Sequence, residues 1–308
     1  MTLATATVRG RSAAPEGSSP FDPRALAPLV GKAFLLTPDD DWVERRDEAG
    51  HAYLHGADLG WREHPEYMDF VDPDSPIRGL KEAERDLVWH HWERWVQGGR
   101  VLDVGCGIGR FTLPLLDRGY EVVGVDADLA SLQRLVWHAA GRNGALDVHW
   151  SSVHTLPEGP FDLAIASEVL CYVPDTVGAL ATIRERLAPG GRLLLSMEAR
   201  WGWALSEDAP EDALAMALSG DGVIDLPGER WVRTVDEPTL RALLAEAGFQ
   251  VDDMIPSHWV PDGPLEALAP PELSLEELLA FEARCRAHPV FGPLHRLWLV
   301  SARPQESE

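Results

Sequence analysis

An aspartate and three alternating glycines close an apolar run in the stretch VLDVGCGIGR at 101–110. They are Asp103, Gly105, Gly107 and Gly109. This pattern is typical of a buried strand that feeds a tight turn, because glycine lets the backbone approach a ligand closely. Dinucleotide-binding turns require glycine or alanine at the position that Arg110 occupies here. The spacing therefore predicts a nucleotide-binding turn of another kind, or a tight turn that binds nothing.

A second acid, Asp126, ends the next apolar run and stands seventeen residues after Gly109. A carboxylate at the end of that strand can accept two hydrogen bonds from a ribose diol, and such charge-assisted bonds are the strong ones. NAD-binding folds also place an acid at this point. Asp126 thus indicates a nucleoside ligand without identifying it.

The elements that must position these residues follow an alternating pattern of buried strands and amphipathic helices from residue 100 onward. We expect seven strands, at 101–106, 121–127, 146–152, 161–170, 191–199, 249–255 and 294–302. Asp175, Asp236 and the pair Ser274 and Glu277 are predicted to cap three of the helices. This order predicts an α/β fold with a Rossmann-like, mainly parallel sheet covered by helices on both faces.

The chain is expected to divide into a flexible tail at 1–25, a cap at 26–98 and a main domain at 99–308. Two stretches, 200–235 and 256–293, interrupt the main domain, and the first is rich in Trp, Asp and Gly. We expect both interruptions to act as helical lids over a ligand at the sheet edge.

Composition narrows the possible partners. The 308 residues are 45% hydrophobic and carry a formal net charge of −23, which disfavours nucleic acid and anionic membrane surfaces. No apolar run reaches the roughly 20 residues of a membrane span, and no secretory signal is seen. Three scattered cysteines predict neither a disulfide framework nor a zinc site. We expect a cytoplasmic protein that binds a small molecule.

Four stretches, VLDVGCGIGRF, GVDAD, FDLAIASEVLCYVPD and LAPGGRLLLSMEA, occur in this order. Together they resemble the class I S-adenosylmethionine-dependent methyltransferases over about residues 98–255 and 294–302. The resemblance implies a seven-stranded sheet with an antiparallel last strand, S-adenosyl-L-methionine as the cofactor, and methyl transfer as the reaction. It says little about the methyl acceptor.

The resemblance also implies which residues hold the cofactor. Asp103, Gly105 and Glu168 would lie along the methionine portion. Cys106 belongs to the same turn, in which Gly107 and Gly109 would let the backbone approach the ligand. Asp126 would bind the ribose hydroxyls, with Ala127, Ser152 and Val153 around the adenine. Caps in this family often supply groups for the methionine carboxylate, which makes Arg78 and Tyr67 candidates beside their alternative as ordinary surface residues.

Two positions depart from the common family pattern. Many relatives carry an acid after the third strand, where this chain has Ser152, which forms a weaker bond to the adenine amino group. Many also read Glu-His after the fourth strand, where this chain has Cys171 and Tyr172. An imidazole base is therefore absent from that place.

Methyl transfer from a sulfonium is an in-line displacement that depends mainly on alignment and exclusion of water. Tyr172 is a candidate to face the sulfonium through its ring, or else packs at the start of a loop. His154 is a candidate base, or else a surface histidine. Glu198 is a candidate to orient or deprotonate the acceptor, or else a solvated acid at a strand end.

Trp201, Trp203 and Trp231 lie in the first interruption, where aromatic side chains either hold the acceptor or pack the lid. The tandem His90 and His91 point about 100° apart on a helix, so we expect no metal site there.

These patterns and the resemblance predict a methyltransferase that acts on a small molecule in specialised (secondary) metabolism. One alternative is a non-methylating enzyme that cyclises the cofactor itself to azetidine-2-carboxylate and releases 5′-methylthioadenosine. Another is a non-catalytic partner subunit that binds the cofactor.

Overall fold

The computed structural model describes strands at 4–9, 43–46 and 52–55, and residues 69–205, 209, 211–219, 222–225, 231–269 and 273–305. Tyr67 lies outside the described residues, and so does the side chain of Trp231.

Strands and helices alternate through most of the described chain. The strands are β1 (Ala4–Arg9), β2 (Val43–Arg46), β3 (Ala52–His55), β4 (Arg100–Val104), β5 (Glu121–Asp126), β6 (Ala145–Trp150), β7 (Phe161–Ser167), β8 (Leu187–Glu198), β9 (Val223–Asp225), β10 (Trp231–Arg233), β11 (Phe249–Ser257) and β12 (Leu297–Pro304). The α-helices are α1 (Arg78–Trp92), α2 (Thr112–Asp117), α3 (Leu129–Ala139), α4 (Thr176–Arg186), α5 (Arg200–Ala204), α6 (Ala213–Ser219), α7 (Glu237–Glu246) and α8 (Leu275–Ala287).

The main sheet has eight strands in the order β1-β6-β5-β4-β7-β8-β12-β11. Strands β4, β5, β6 and β7 run parallel, and β12 pairs antiparallel with both β8 and β11. The predicted mainly parallel sheet with an antiparallel last strand is confirmed. The eighth strand, β1, was not predicted: it pairs antiparallel with β6, within residues expected to form a tail.

The chain divides into two compact units. The first comprises residues 1–78, 97–166 and 173–192, and the second comprises 79–96, 167–172 and 193–308. These units are not the predicted tail, cap and main domain, whose boundaries stay a prediction.

The core of the first unit consists of the apolar side chains of its parallel strands. Val101, Leu102, Val122, Val123 and Ile165 are at most 1% exposed. Strands buried on both faces carry continuous apolar runs rather than alternating ones, which is the pattern that the sequence shows. Because these strands are parallel, their carboxyl ends meet at one edge, where the turns after β4, β5 and β6 lie.

Asp69 begins the described segment 69–205, ahead of α1, and is bonded to helix α3 of the same unit. It is 1% exposed, pairs with Arg134, and lies 2.8 Å from Nε2 of His138. Burial alone raises the pKa of Asp69, but His138 and Arg134 outweigh that effect and hold it below its ordinary value. The segment that leads into α1 is thus anchored by a paired, buried charge.

A second buried carboxylate organises the other unit. Glu282 on α8 is 1% exposed and accepts hydrogen bonds from the backbone N–H groups of His258, Trp259 and Val260 at 2.8, 2.8 and 3.1 Å. Trp259 is fully buried beside Leu278 of the same helix. The carboxylate therefore fixes the backbone that follows β11.

The region 200–235 contains α5, α6 and a small antiparallel pair, β9 with β10. The region 256–293 contains the end of β11 and helix α8. Their role as lids stays a prediction. Over the described residues, no helix is long and apolar enough to cross a bilayer.

Candidate functional site

The turn after β4 has the geometry that its glycines predict. The N–H groups of Gly105 and Cys106 donate to the carbonyl of Val125, with N···O distances of 2.7 and 3.1 Å. Gly105 and Gly107 have φ values of 67° and 52°, which an L side chain rarely adopts. The turn is therefore anchored on β5 while its backbone bends sharply at the sheet edge.

Asp126 joins this turn to the end of β5. Its Oδ2 accepts from the Gly107 N–H at 2.7 Å, and its Oδ1 accepts from the Asp128 N–H at 2.8 Å. Burial raises the pKa of Asp126, although the backbone hydrogen bonds act in the opposite direction. The Ala127 N–H is a third backbone donor to this carboxylate, whose two oxygens offer about four acceptor sites, so the carboxylate is oriented and can still accept from a ligand.

Gly107 and Gly109 are glycines for different reasons. In the part of the chain that the structure describes, a Cβ built on Gly107 has no atom beyond its chain neighbours within 4 Å, whereas one on Gly109 would lie 2.6 Å from Leu135 Cδ1 and 2.7 Å from Leu113 Cγ. Gly109 therefore makes room for the helices behind the turn. Gly107 leaves the front of the turn open.

Asp103 lies beneath the turn and is 2% exposed. Its Oδ2 accepts a hydrogen bond of 2.6 Å from Thr112 Oγ1. Burial raises the pKa of Asp103 to about 7, the Thr112 bond lowers it, and the Asp126 charge raises it further. A cation brought beside this carboxyl would favour its ionised form.

The loops after β5 and β6 are bonded to each other. Trp150 Nε1 donates to the Ala127 carbonyl at 2.8 Å, and the Ser151 N–H donates to the Asp126 carbonyl at 3.1 Å. Ser152, where many relatives carry an acid, is 4% exposed, and its Oγ accepts from the His154 N–H at 3.3 Å.

The first unit thus brings most of the predicted cofactor residues to one edge of its sheet. They are Asp103, Gly105, Cys106, Gly107, Gly109, Asp126, Ala127, Ser152 and Val153. His154 follows in the same loop and is half-buried. Their contacts with a cofactor stay a prediction.

Glu168 belongs to the second unit and is held at two points. Its N–H donates to Ser196 Oγ at 2.9 Å, and its Oε2 lies 3.4 Å from Nη2 of Arg296. Its φ is 55°, in the left-handed region that non-glycine residues rarely occupy. The residue is therefore fixed by both its backbone and its carboxylate.

Glu198 was expected at a strand end, either solvated or facing an acceptor, and the structure leaves it 0% exposed. Its two oxygens accept from Arg296, at 3.1 Å from Nη2 and 3.3 Å from Nε. Burial raises the pKa of Glu198, and the guanidinium acts in the opposite direction. The solvated alternative is therefore wrong, because both oxygens are enclosed by the ion pair.

Tyr172 is half-buried at the end of a short 3₁₀ turn and Cys171 is buried beside it. On helix α5, Trp201 is half-buried and Trp203 is 8% exposed. Arg78, in the first unit, is half-buried and donates from Nη1 to the Val71 carbonyl at 3.3 Å. The roles assigned to these residues stay predictions.

His90 and His91 have ring centroids 5.3 Å apart in an edge-to-face arrangement. In the part of the chain that the structure describes, no group of three His, Cys, Asp or Glu residues is placed to hold a metal. Burial lowers the pKa of His91 to about 4, so it is neutral at pH 7.

Sequence reasoning missed Arg296, which contacts Glu168, Glu198 and Asp262. These partners precede it by 128, 98 and 34 residues. A lone arginine ahead of a strand carries no local pattern that could have indicated this role. Trp150 was missed for the same reason, since its indole partner lies on another loop.

A family model described as a methyltransferase domain matches residues 78–253. The ubiquinone biosynthesis O-methyltransferase of Idiomarina loihiensis is 29% identical over 157 residues, which are 48% of this chain and 64% of that protein. The chain thus spans slightly less than two thirds of that relative. The protein of the same name from Xanthomonas euvesicatoria pv. vesicatoria is 30% identical over 197 residues, 61% of this chain and 77% of that protein.

Among solved structures, one similar chain is the 1,6-didemethyltoxoflavin-N1-methyltransferase of Burkholderia thailandensis, crystallised with 1,6-didemethyltoxoflavin and S-adenosylhomocysteine. It matches with a TM-score of 0.51 and 21% identity, over 80% of this chain and 88% of that chain. At this identity the similarity concerns the fold.

Proposed function

The chain belongs to the class I S-adenosylmethionine-dependent methyltransferases, with S-adenosyl-L-methionine as its cofactor, and on this premise we propose that it methylates a small-molecule acceptor. We place the acceptor in specialised metabolism. The curated relatives named above are called O-methyltransferases of ubiquinone biosynthesis, which makes a phenolic or quinol-like hydroxyl the first acceptor class to test.

The observation that carries the proposal is the joint geometry of Gly107 and Asp126. The Gly107 N–H holds one carboxylate oxygen at 2.7 Å, and among the described residues beyond its chain neighbours none comes within 4 Å of the missing Cβ. An oriented carboxylate beside an open backbone suits a nucleoside, whose ribose hydroxyls donate to the acid while the rest passes over the glycine.

The net negative charge of the protein supports a small-molecule acceptor over a nucleic acid. A formal net charge of −23 repels polyanions, so nucleic acid is a poor substrate for this protein. A cation, by contrast, is favoured near Asp103 and Asp126, and the cofactor supplies one in its sulfonium.

Methyl transfer needs few catalytic side chains, because it depends mainly on the alignment of the reactants. The nucleophile would attack the methyl carbon in line with its bond to sulfur and form a new bond to that carbon. The C–S bond would break and its electron pair would return to sulfur, which neutralises the sulfonium and releases S-adenosylhomocysteine. A hydroxyl acceptor also needs to lose a proton, and His154 and Tyr172 are the candidates with some exposed surface. Glu198 is fully enclosed by its ion pair with Arg296, which favours an indirect role.

The test is to incubate the purified protein with S-adenosylmethionine and a panel of phenols, catechols, hydroquinones and amines, and to analyse all products by mass spectrometry. We expect one methylated compound in step with S-adenosylhomocysteine. Asp126→Ala should weaken cofactor binding by tenfold or more, as loss of a charge-assisted hydrogen bond requires (about 1.5–3 kcal/mol).

The same experiment separates the alternatives. Enzyme-dependent 5′-methylthioadenosine from S-adenosylmethionine alone would identify a cyclase or lyase and overturn the methyltransferase proposal. Tight binding of the cofactor with no turnover across the panel would favour a non-catalytic partner subunit.

A further inference from the structure

Arg200 is a cation that the protein largely encloses without neutralising. It begins helix α5, directly after β8, and its side chain is 14% exposed. Its Nε is buried, and in the described part of the chain this atom has no hydrogen-bond partner. Its one ion pair among the described residues is with Asp236, whose Oδ2 lies 3.7 Å from Nη1, beyond hydrogen-bond distance. Such a guanidinium needs an explanation, because most buried donors in proteins have a partner.

Two other arginines of this chain are enclosed at least as well, and both are neutralised. Arg134 is 3% exposed and Arg296 is 11% exposed, and each pairs with a carboxylate that is at most 1% exposed. Asp236, by contrast, is 41% exposed and already caps helix α7 by accepting from the Thr239 N–H at 3.0 Å. An exposed ion pair of this length contributes little. The charge of Arg200 is therefore largely unmatched.

The backbone around Arg200 is fixed, and two nearby carbonyl groups are engaged elsewhere. The Val235 carbonyl accepts from the Arg200 N–H and from Trp298 Nε1, both at 3.1 Å. The Gly222 carbonyl accepts from the N–H and Oγ1 of Thr234 at 2.7 and 2.8 Å. Gly222 lies beside the guanidinium, since a Cβ built there would be 3.3 Å from Nη2. Both lone pairs of each oxygen are used, so neither carbonyl satisfies the guanidinium.

A monovalent anion with two coplanar oxygens would complete this site. A carboxylate accepts two parallel N–H bonds from a guanidinium, which fits the planar fork of arginine. A phosphate dianion is less suitable, because one cation cannot balance two charges in a protein of net charge −23. We propose that Arg200 binds the carboxylate of a small organic acid, in competition with Asp236. The site lies wholly within the second unit, so it goes beyond the proposed function and does not depend on the cofactor.

Two fluorinated probes test the requirement for charge in the absence of cofactor. 4-Fluorobenzoate carries the carboxylate, and 4-fluorobenzamide has nearly the same shape without the charge. Fluorine NMR titrations of the whole chain at pH 7 measure both dissociation constants. We expect the wild type to bind 4-fluorobenzoate about tenfold more tightly than the amide. Arg200→Gln should weaken the binding of 4-fluorobenzoate about tenfold and leave that of the amide unchanged, because a charged hydrogen-bonded pair is lost.

Arg186→Gln is the matched control. Arg186 also has a buried Nε that lacks a hydrogen-bond partner among the described residues, and it pairs with Glu158 at 3.7 Å. It lies in the last turn of α4, where a cation interacts favourably with the helix dipole, so its charge needs no ligand. This variant should bind 4-fluorobenzoate within about twofold of the wild type. An equal loss in both arginine variants would mean that the probe follows net charge, and would overturn the site.

Competition and a second substitution complete the test. Inorganic phosphate that displaces 4-fluorobenzoate as effectively as unlabelled benzoate does would contradict the carboxylate assignment, and no binding to the wild type would overturn the site. If Arg200→Gln does not fold, Asp236→Asn gives a readout of opposite sign, because it removes the competing carboxylate while asparagine can still cap α7. Affinity for 4-fluorobenzoate should then rise about two- to threefold. An unchanged or lower affinity in Asp236→Asn would contradict the proposal.

Discussion

Gly107 and Gly109 lie two residues apart in one turn, yet a methyl group added to each would meet different surroundings. At Gly107 it would meet no described residue within 4 Å, and at Gly109 it would press on Leu113 and Leu135. At the residue scale, therefore, Gly109 serves helix packing, whereas ligand access remains our proposal for Gly107.

We expect Gly107→Ala to reduce S-adenosylhomocysteine affinity by tenfold or more, because its methyl group projects into space assigned to the ligand. The free energy of unfolding should fall by only about 1–2 kcal/mol, the cost of a left-handed alanine. Gly119→Ala is the control: its φ is +85° and no described residue beyond its chain neighbours lies within 4 Å, so it should show a similar stability loss with unchanged affinity. Calorimetry and urea unfolding check both quantities, and equal affinity losses in the two variants would contradict this assignment.

Asp103 gives a prediction about pH. Its pKa is raised to about 7 by burial, against an ordinary value of about 3.9. Between these values the folded state holds a proton that the unfolded state has released. Stability from this group is therefore lost as the pH rises from about 4 to 7, by at most about 1.4 kcal/mol per pH unit. Asp103→Asn removes this titration. The free energy of unfolding of the variant, relative to that of the wild type, should therefore increase as the pH rises from about 4 to 7.

Urea unfolding at several pH values measures the difference in free energy of unfolding between Asp103→Asn and the wild type. Asp236→Asn is the control with the opposite sign, because the pKa of Asp236 is lowered and that of Asp103 is raised. Hydrogen bonds from Thr239 lower the pKa of Asp236, so its contribution is present above the unfolded pKa and lost as the pH falls. The stability of Asp236→Asn relative to the wild type should therefore fall as the pH rises toward about 4, and stay constant above that pH. A difference for Asp103→Asn that does not vary with pH would show that its carboxyl titrates normally.

Single residues of the candidate site were predictable where the signal is local. The glycines and Asp126 follow apolar runs within one βαβ segment, and the structure places them at the same sheet edge. Arg296 was not predictable, because its contacts with Glu168 and Glu198 join residues 128 and 98 positions apart. Burial of Glu198 was missed for the same reason.

At the scale of secondary-structure elements, helix starts were predicted best where a side chain caps the helix. The Asp175, Asp236 and Ser274 caps were all predicted, and each side chain accepts the expected backbone N–H. The start of β8 was not predicted, because Pro189-Gly190-Gly191 indicates a turn, whereas the strand already begins at Leu187. A Cβ on Gly191 would lie 2.9 Å from the Phe161 carbonyl, so close approach to β7 overrides the local signal.

Helix α5 depends on a glycine for its packing. A Cβ built on Gly202 would overlap the carbonyl of His295, a backbone atom that cannot rotate away. We expect Gly202→Ala to lower the free energy of unfolding by about 1–3 kcal/mol through overpacking, despite the better helix propensity of alanine. Gly79→Ala on α1 is the control, since a Cβ there would meet no described residue outside its own helical turn within 4 Å. It should raise the free energy of unfolding by about 0.4–1 kcal/mol. Thermal or urea unfolding measures both changes in stability. Stabilisation by both substitutions would contradict the close approach of Gly202 to the His295 carbonyl.

At the scale of the whole molecule, the excess of acid is the dominant feature. Fifty Asp and Glu residues stand against twenty-seven Lys and Arg residues, and like charges repel one another most in the compact state. The two compact units and the antiparallel strand β1 were not predicted, since such long-range arrangements leave no periodic signal.

We expect the melting temperature at pH 7 to rise by several degrees between about 0.01 M and 1 M NaCl, because the screening length falls from about 30 Å to 3 Å. Near pH 5, close to the pI of about 4.8, the rise should be much smaller, since the net charge is small there. Differential scanning calorimetry measures both series. An equal rise at the two pH values would mean that salt acts through something other than self-repulsion.

Strand β12 pairs with β8 on one side and β11 on the other, although both precede it in the chain. During synthesis from the amino terminus, β8 and β11 therefore leave the ribosome before the strand that must separate them. Arg296 immediately precedes β12, so Glu168, His258 and Asp262 meet their common partner only at this late stage. Insertion of β12 thus completes the sheet and the charge cluster together, and a nascent chain that stops before it would carry both unfinished.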